Sequence, residues 1–196
     1  MWDERYSGED FAYGTAPNDF LVEAVPSLPP GGRVLCLADG EGRNSVYLAE
    51  QGFEVVGVDS SPVGLTKAEK LAKERNVKIE TVLADLADFE IKADSFNAVI
   101  SIFCHLLPGI MEKVHKQIVR GLRKGGVLVL EGYTPRQHEY NTGGPKSKEV
   151  LMNLVTLKKE FSGLEFKHAK EIDREIHEGQ FHNGMSAVVQ IIAVKQ

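Results

Sequence analysis

The chain has 196 residues, 42% apolar and 26% charged, with a formal net charge of -5. That length suits one domain with a sizeable core, while the acidic balance disfavours generic nucleic-acid binding, which needs a basic face. No apolar run approaches the roughly 20 residues of a membrane span and the opening lacks a basic-then-apolar signal pattern, so a soluble cytoplasmic protein is expected, with a small molecule and neither nucleic acid nor membrane as partner.

Residues 1–30 open with Trp2, Arg5, Tyr6 and Tyr13 interleaved with Asp3, Glu4, Glu9 and Asp10. Such a stretch is too polar for a core element. It reads either as a surface helix packed through its aromatics or as a flap that keeps water from a ligand beneath. Arg33 to Leu37 follows without polar alternation, as in a parallel strand covered on both faces. Gly40 and Gly42 then let bare backbone approach a ligand at the strand's carboxyl end, and a helix begins near Arg43. A second strand, Glu54 to Val58, ends in Asp59, whose carboxylate is placed to accept hydrogen bonds from both hydroxyls of a ribose. An adenosine derivative is the implied ligand. The third position of the dinucleotide fingerprint is Ser45 rather than Gly or Ala, which leaves both S-adenosylmethionine and NAD open.

Ser61 before Pro62 marks the next helix start, because the serine oxygen caps free amides and proline fits the first turn. Strands are expected at Lys78 to Leu83, Asn97 to Ile102 and Gly126 to Gly132, with helices beginning near Pro108 and Ser147. Ile110, Val114, Ile118 and Leu122 form a core-facing stripe on the first of these helices, and LRKGG closes it with cations and glycines. TPRQHEYNTGGP is a long glycine-rich loop of the kind that forms lids, which puts Arg136 and Tyr140 beside an acceptor pocket. Leu164 to Ile176 and Met185 to Val194, around a polar turn, read as a closing antiparallel hairpin. Cys36 and Cys104 sit in or beside apolar strand patterns and read as reduced core thiols. HEGQFH spaces its histidines five apart with a glycine between, unlike a zinc-peptidase helix, so no metal is expected.

VLCLADGEGRN, VVGVD, the acid in VLADL, FNAVISIFCHL and LRKGGVLVLEGYTP, in that order, resemble the successive motifs of class I S-adenosylmethionine-dependent methyltransferases. WDERYSGEDFAYGTAPNDFL and REIHEG, near the two ends, resemble the tellurite-resistance and thiol methyltransferase branch. The resemblance runs from Trp2 to about Val194. It implies an α/β fold, a Rossmann-like, doubly wound, seven-stranded sheet that is mostly parallel with a C-terminal antiparallel hairpin. One domain is expected over 1–196, with a flap at 1–30, a cofactor-binding core at 31–133, and a lid loop, helix and hairpin at 134–196.

The same resemblance implies S-adenosylmethionine as cofactor and S-adenosylhomocysteine as product. Its expected holders are Ala38, Asp39, Gly40, Gly42 and Asn44 in the glycine turn, Asp59 and Ser60 at the ribose, and Asp85 and Leu86 at the adenine. Ser101 and Phe103 are expected beneath the sulfonium, and Arg5 of the flap pairs the methionine carboxylate. Two departures stand out: Cys36 where the family usually has an acid, and Ala38 where it has glycine. Asp39 is expected to supply the missing charge.

A soft nucleophile is the expected acceptor, a thiol or a chalcogen or metalloid species, in a pocket lined by Tyr6, Tyr13, Arg136 and Tyr140. Methyl transfer from a sulfonium needs alignment and a dry site more than a strong acid. His105 and His177 are the candidate bases. His105 either orients cofactor or substrate or bonds a loop carbonyl; His177 matches the position where the branch has an acceptor-facing histidine, and Glu178 beside it disfavours an anionic acceptor. Two alternatives stand beside this reading. One is a non-catalytic adenosylmethionine-binding protein, suggested by Cys36 and Ala38; the other is an NAD-dependent oxidoreductase, for which no catalytic Tyr-Lys spacing is found.

Overall fold

The structure is a computed structural model and describes residues 2–196. Five apolar segments form strands β1 (Arg33–Leu37), β2 (Glu54–Asp59), β3 (Glu80–Leu83), β4 (Phe96–Ile102) and β5 (Leu122–Tyr133), and the chain closes with β6 (Leu164–Glu178) and β7 (His182–Lys195). They make one seven-stranded sheet in the order β3-β2-β1-β4-β5-β7-β6. The first five pair in parallel; β7 inserts antiparallel between β5 and β6. The sheet and its hairpin match the sequence reading.

Helices α1 (Trp2–Tyr6), α2 (Asp19–Ala24), α3 (Arg43–Glu50), α4 (Pro62–Glu74), α5 (Pro108–Gly121), α6 (Gln137–Tyr140) and α7 (Leu154–Glu160) fill the connections. Phe20, Leu21 and Ala24 of α2 and Leu48 of α3 cover one sheet face, against Val34, Val55 and Val129. Met111, Val114 and Ile118 of α5 with Leu157 of α7 and Phe161 just after it cover the other, against Leu35, Val99 and Leu128. Strands buried on both faces need this apolar content throughout, which is why β1, β4 and β5 lack alternation. Cys36 and Cys104 are free and buried in these two layers. Among the described residues no helix is long and apolar enough to cross a membrane.

Several boundaries differ from the sequence reading. β5 begins at Leu122 rather than Gly126, so LRKGG opens that strand instead of closing α5, which ends at Gly121. β3 begins at Glu80 rather than Lys78, on the sheet edge where no second partner extends it. Ser147 starts only a short 3-10 turn, whereas α7 starts at Leu154, where Asn153 Oδ1 accepts from Thr156 N–H at 2.9 Å. The hairpin arms run on to Glu178 and back from His182, so the turn is just Gly179 to Phe181. This extension carries the hairpin tip over the carboxyl ends of the parallel strands.

Candidate active site

The carboxyl ends of β1, β2, β4 and β5 and the loop after β3 open into one cavity of about 750 Å³. An open parallel sheet places ligands there, because the connections diverge at that edge. Ala38 leaves β1 with φ 49°, a left-handed conformation that favours glycine. Asp39 then lays its carboxylate over Gly57 of β2, where a Cβ would lie 2.5 Å from Oδ2. Ser45 Oγ donates to that Oδ2 at 2.5 Å, whereas Oδ1 is buried with no hydrogen-bond partner among the described residues. Burial pushes Asp39 up to about 7, against the pull of the Ser45 hydrogen bond. Asp59 accepts Gly40 N–H at 2.9 Å and Ser61 N–H at 2.8 Å, so both oxygens are fixed at the cavity wall, and burial raises its pKa too. Ser60, Asp85 and Leu86 extend this wall. Asp85 also closes its own turn, accepting from Ala87 N–H at 2.8 Å.

The N-terminal segment roofs this end. Tyr6 is buried on Gly40, where a Cβ would sit 2.7 Å from its hydroxyl, and Trp2 stacks on Tyr6. Asp3 accepts a hydrogen bond from Ser61 Oγ. Glu41 accepts from Ala12 N–H at 2.7 Å and pairs with Lys67 at 2.8 Å, pinning the stretch that follows α1. Arg5 donates to the Tyr13 hydroxyl at 2.8 Å and lies over the Trp2 and Phe181 rings at 5.5 and 4.6 Å. Among the described residues no carboxylate pairs with it.

The opposite end is aromatic. Phe103 follows β4 with φ 51° and stacks on Tyr133 at 4.6 Å. The His182 ring meets Tyr13 at 4.5 Å, Phe103 at 4.8 Å and Tyr133 at 5.4 Å. His182 Nδ1 faces Glu178 Oε2 at 3.3 Å. Glu178 in turn accepts from Arg43 at 2.7 Å and Asn18 at 2.8 Å. Although burial opposes it, the hydrogen bonds from His182 and Arg43 hold Glu178 down at about 2. Burial lowers His182 below its ordinary value, with Glu178 pulling the other way. Gly143 to Ser147 of the loop after α6 complete the rim, Lys146 among them.

Of the residues anticipated from sequence, Arg5, Tyr6, Tyr13, Ala38, Asp39, Asn44, Asp59, Ser60, Asp85, Leu86, Phe103 and His105 line this cavity. Six do not. Gly40 turns its bare face to Tyr6, and Gly42 turns its own to Ala68, whose Cβ would lie 2.5 Å from an added Cβ. The bare faces of these two glycines admit packing partners. Ser101 is buried inside β4. Arg136 forms a bidentate pair with Asp173 at 3.1 and 3.0 Å on the outer surface, and Tyr140 sits beside that pair. His177 is 71% exposed and faces Glu175, because strand alternation turns Ile176 and Glu178 inward and His177 out. The histidine from this turn that reaches the cavity is His182.

His105 lines the cavity with both ring nitrogens engaged. Nδ1 donates to the Val150 carbonyl at 2.8 Å and Nε2 accepts Tyr133 N–H at 3.2 Å. Burial lowers its pKa to about 4. The ring thus ties the segment before α7 to the end of β5, the loop-carbonyl arrangement among the two anticipated. Arg43, Tyr133, Lys146, Phe181 and His182 line the cavity as well, and were not among the anticipated residues. Tyr133 was open to inference as the last residue of an apolar strand; Arg43 and Lys146 carry no such signal.

Residues 34–126 match the family described as "Methyltransferase domain". That segment, just under half of the chain, is similar to a methyltransferase domain, and the cofactor of such domains is S-adenosylmethionine. The domain is 35% identical over 113 residues to a tRNA (uracil(54)-C(5))-methyltransferase of Pyrococcus horikoshii, a match covering 51% of this chain and 27% of that protein. It is 30% identical over 104 residues to the uncharacterized methyltransferase sll0829 of Synechocystis, covering 53% and 48%. The chain thus spans from about a quarter to half the length of these relatives. In fold, the domain is similar to TehB from Haemophilus influenzae, with TM-score 0.76 at 20% identity over 100% of this chain and 66% of that one. A methyltransferase from Methanosarcina mazei superposes with TM-score 0.72 at 17% identity, over 88% and 96% of the two chains.

Proposed function

We propose that this protein transfers the methyl group of S-adenosylmethionine to a small-molecule soft nucleophile, a thiol or a chalcogen or metalloid species. The observation that carries the reading is one continuous cavity with carboxylates at one end and aromatic rings at the other. Asp59 and Ser60 face the ribose in this reading, and Asp85 and Leu86 the adenine. The buried Oδ1 of Asp39, unpartnered among the described residues, suits the cofactor's α-ammonium, and Arg5, held by Tyr13 and without an acid partner among those residues, suits its carboxylate. Bound there, the cofactor would supply an electrophilic methyl carbon, and Phe103 with the aromatic end would hold the acceptor. The protein's task is then alignment and exclusion of water, which the Trp2–Tyr6 roof and the Gly143–Ser147 rim serve.

A dinucleotide fits less well. Its pyrophosphate needs free amides at the start of α3, where Asp39, Asp59 and the buried Glu41 already present carboxylates. A tRNA acceptor, as named for the Pyrococcus relative, finds little support in a chain of net charge -5. The fold likeness to TehB supports the tellurite-resistance branch.

Thermal melting with S-adenosylmethionine, S-adenosylhomocysteine and NAD, on protein cleared of co-purified ligand, tests the cofactor. A ligand at a hundred times its dissociation constant adds about 2.7 kcal/mol, or roughly 5 to 10 °C for a domain of this size. The first two are expected to raise Tm by that amount and NAD to leave it unchanged; a response to NAD alone overturns the reading. Methylated product from a panel of thiols and chalcogen oxyanions then tests the acceptor.

A further inference from the structure

Glu178 and His182 face each other across the first register pair of the β6–β7 hairpin. Glu178 is 6% exposed and accepts three hydrogen bonds, from Asn18, Arg43 and His182, which fix both of its oxygens. Its Oε2 fixes the His182 tautomer, with hydrogen on Nδ1 and the lone pair on Nε2. Nε2 has no hydrogen-bond partner among the described residues, yet it is not sealed off, since His182 belongs to the cavity wall. This differs from His105, whose lone pair already accepts Tyr133 N–H. Around His182 stand the rings of Tyr13, Phe103 and Tyr133, and the nearby Arg43 is already paired with Glu178, so these ring surfaces suit the apolar body of an acceptor.

We propose that His182, held in its tautomer by Glu178, is the base that takes the acceptor's proton, and that the acceptor therefore enters uncharged and protonated, with an apolar body against the Tyr13, Phe103 and Tyr133 rings. This rests on the methyltransferase reading above. For a thiol acceptor, the S–H bond breaks and its proton passes to Nε2 while the sulfur lone pair forms the new bond to the methyl carbon. The sulfonium's carbon–sulfur bond breaks with its electrons staying on the cofactor sulfur, which leaves neutral as a thioether, and the imidazolium returns its proton to water. Glu178 acts as a positioning residue, with Arg43 and Asn18 balancing its charge. Four groups face the imidazole: Glu178 on β6, Arg43 on α3, Arg5 on α1 and His105 after β4. Burial above all, with the Arg43 and Arg5 charges adding to it and Glu178 opposing, disfavours the charged ring, so the imidazole arrives able to accept a proton.

The test uses the full-length wild-type protein and His182→Gln, with a series of thiols of graded acidity and with tellurite. General-base catalysis is worth about 100- to 10,000-fold. His182→Gln is expected to lose at least 100-fold in kcat/KM on thiols that are protonated at the assay pH, and under fivefold on thiols already ionised there, with S-adenosylhomocysteine affinity within twofold. The wild-type kcat/KM on protonated thiols should stay high as pH falls below the ordinary histidine range. The variant's should simply follow the thiolate fraction. A readout independent of turnover comes from diethyl pyrocarbonate labelling of the wild type, mapped by mass spectrometry. His182 should be labelled, and should be protected at least tenfold by S-adenosylhomocysteine plus thiol, with exposed His177 as the unprotected reference. Equal losses on both thiol classes, no loss, tellurite outpacing every thiol, or thiol turnover without protection of His182 would each overturn the proposal. If S-adenosylhomocysteine binds but no thiol reacts or protects, this proposal alone fails. If S-adenosylhomocysteine itself does not bind, the methyltransferase reading fails and takes the proposal with it.

Discussion

Asp39 concentrates the tension in this site into one side chain. It follows a left-handed Ala38 and packs over a glycine, and one of its oxygens is buried without a partner. Its folded pKa of about 7 exceeds the ordinary 3.8, so the folded protein binds a proton that the unfolded chain releases. The stabilisation from that proton is complete below about pH 4, declines as pH rises, and is gone above about pH 7. Asp39→Asn lacks the titration. The ligand-free variant should match the wild type near pH 4 and exceed it at pH 8 by on the order of 1–3 kcal/mol, the usual cost of leaving a buried polar group unpaired. Its affinity for S-adenosylmethionine should fall about tenfold, because an amide does not balance an ammonium as a carboxylate does. Thermal denaturation from pH 4 to 8, with calorimetric titration of cofactor, checks both; parallel stability curves for the two proteins would sink the assignment. Cys36 and Ala38 advertised in the sequence that something unusual happens here. That Asp39 is buried and half-partnered was not legible, since it depends on where Gly57 of the neighbouring strand leaves room.

At the scale of elements, the hairpin tip and the N-terminal segment hold each other over the cavity. Gln180 N–H donates to the Ala12 carbonyl at 2.9 Å, and Gly179 has φ 62° with its bare face on Tyr13. A Cβ at Gly179 would lie 2.4 Å from the Ala12 oxygen. Gly179→Ala must both adopt a left-handed conformation, at a cost of about 1–2 kcal/mol, and push the two backbones apart. Displacing Tyr13 frees Arg5 from the one hydrogen-bond partner it has among the described residues. The variant is expected to keep its sheet, to lose cofactor affinity by at least tenfold, and to be cleaved between α1 and α2 by protease at concentrations that spare the wild type. An unchanged proteolysis pattern and dissociation constant would show that the contact closes nothing. The parallel strands and α3 to α5 were readable from sequence because two-sided burial and cap chemistry leave strong local marks. The tip was not. Residues 177–183 are polar on both sides of the turn, and only the pairing of Glu178 with His182 decides which histidine turns inward.

Across the whole molecule, a buried polar network joins elements far apart in the chain. Glu131 of β5, fully buried, accepts from Arg174 of β6 at 3.0 and 2.6 Å, from Gln190 of β7 at 2.5 Å and from Asn18 beside α2 at 2.8 Å. Asn18 passes the link to Glu178 and so to Arg43 and His182. The hairpin, the N-terminal segment and the start of α3 are therefore positioned by one set of hydrogen bonds beneath the aromatic end of the cavity. Replacing one member of a buried ion pair leaves its partner charged and unpaired, which costs about 3–5 kcal/mol. Arg174→Met should therefore lower Tm by roughly 6 to 20 °C at about 2–4 °C per kcal/mol for a domain of this size. Adding Glu131→Gln removes the stranded charge, while Gln190 and Asn18 remain to bond the new amide, so the double variant should recover more than half of the loss. A double-mutant cycle with Glu131→Gln alone isolates the coupling, expected at 0.5–3 kcal/mol for residues in one network. Strict additivity would mean that Glu131 and Arg174 are stabilised separately, each by its other partners. In that case the hairpin's position over the cavity depends on the strand ladder and the Gly179 contact, and the network serves only to satisfy the charges buried with it.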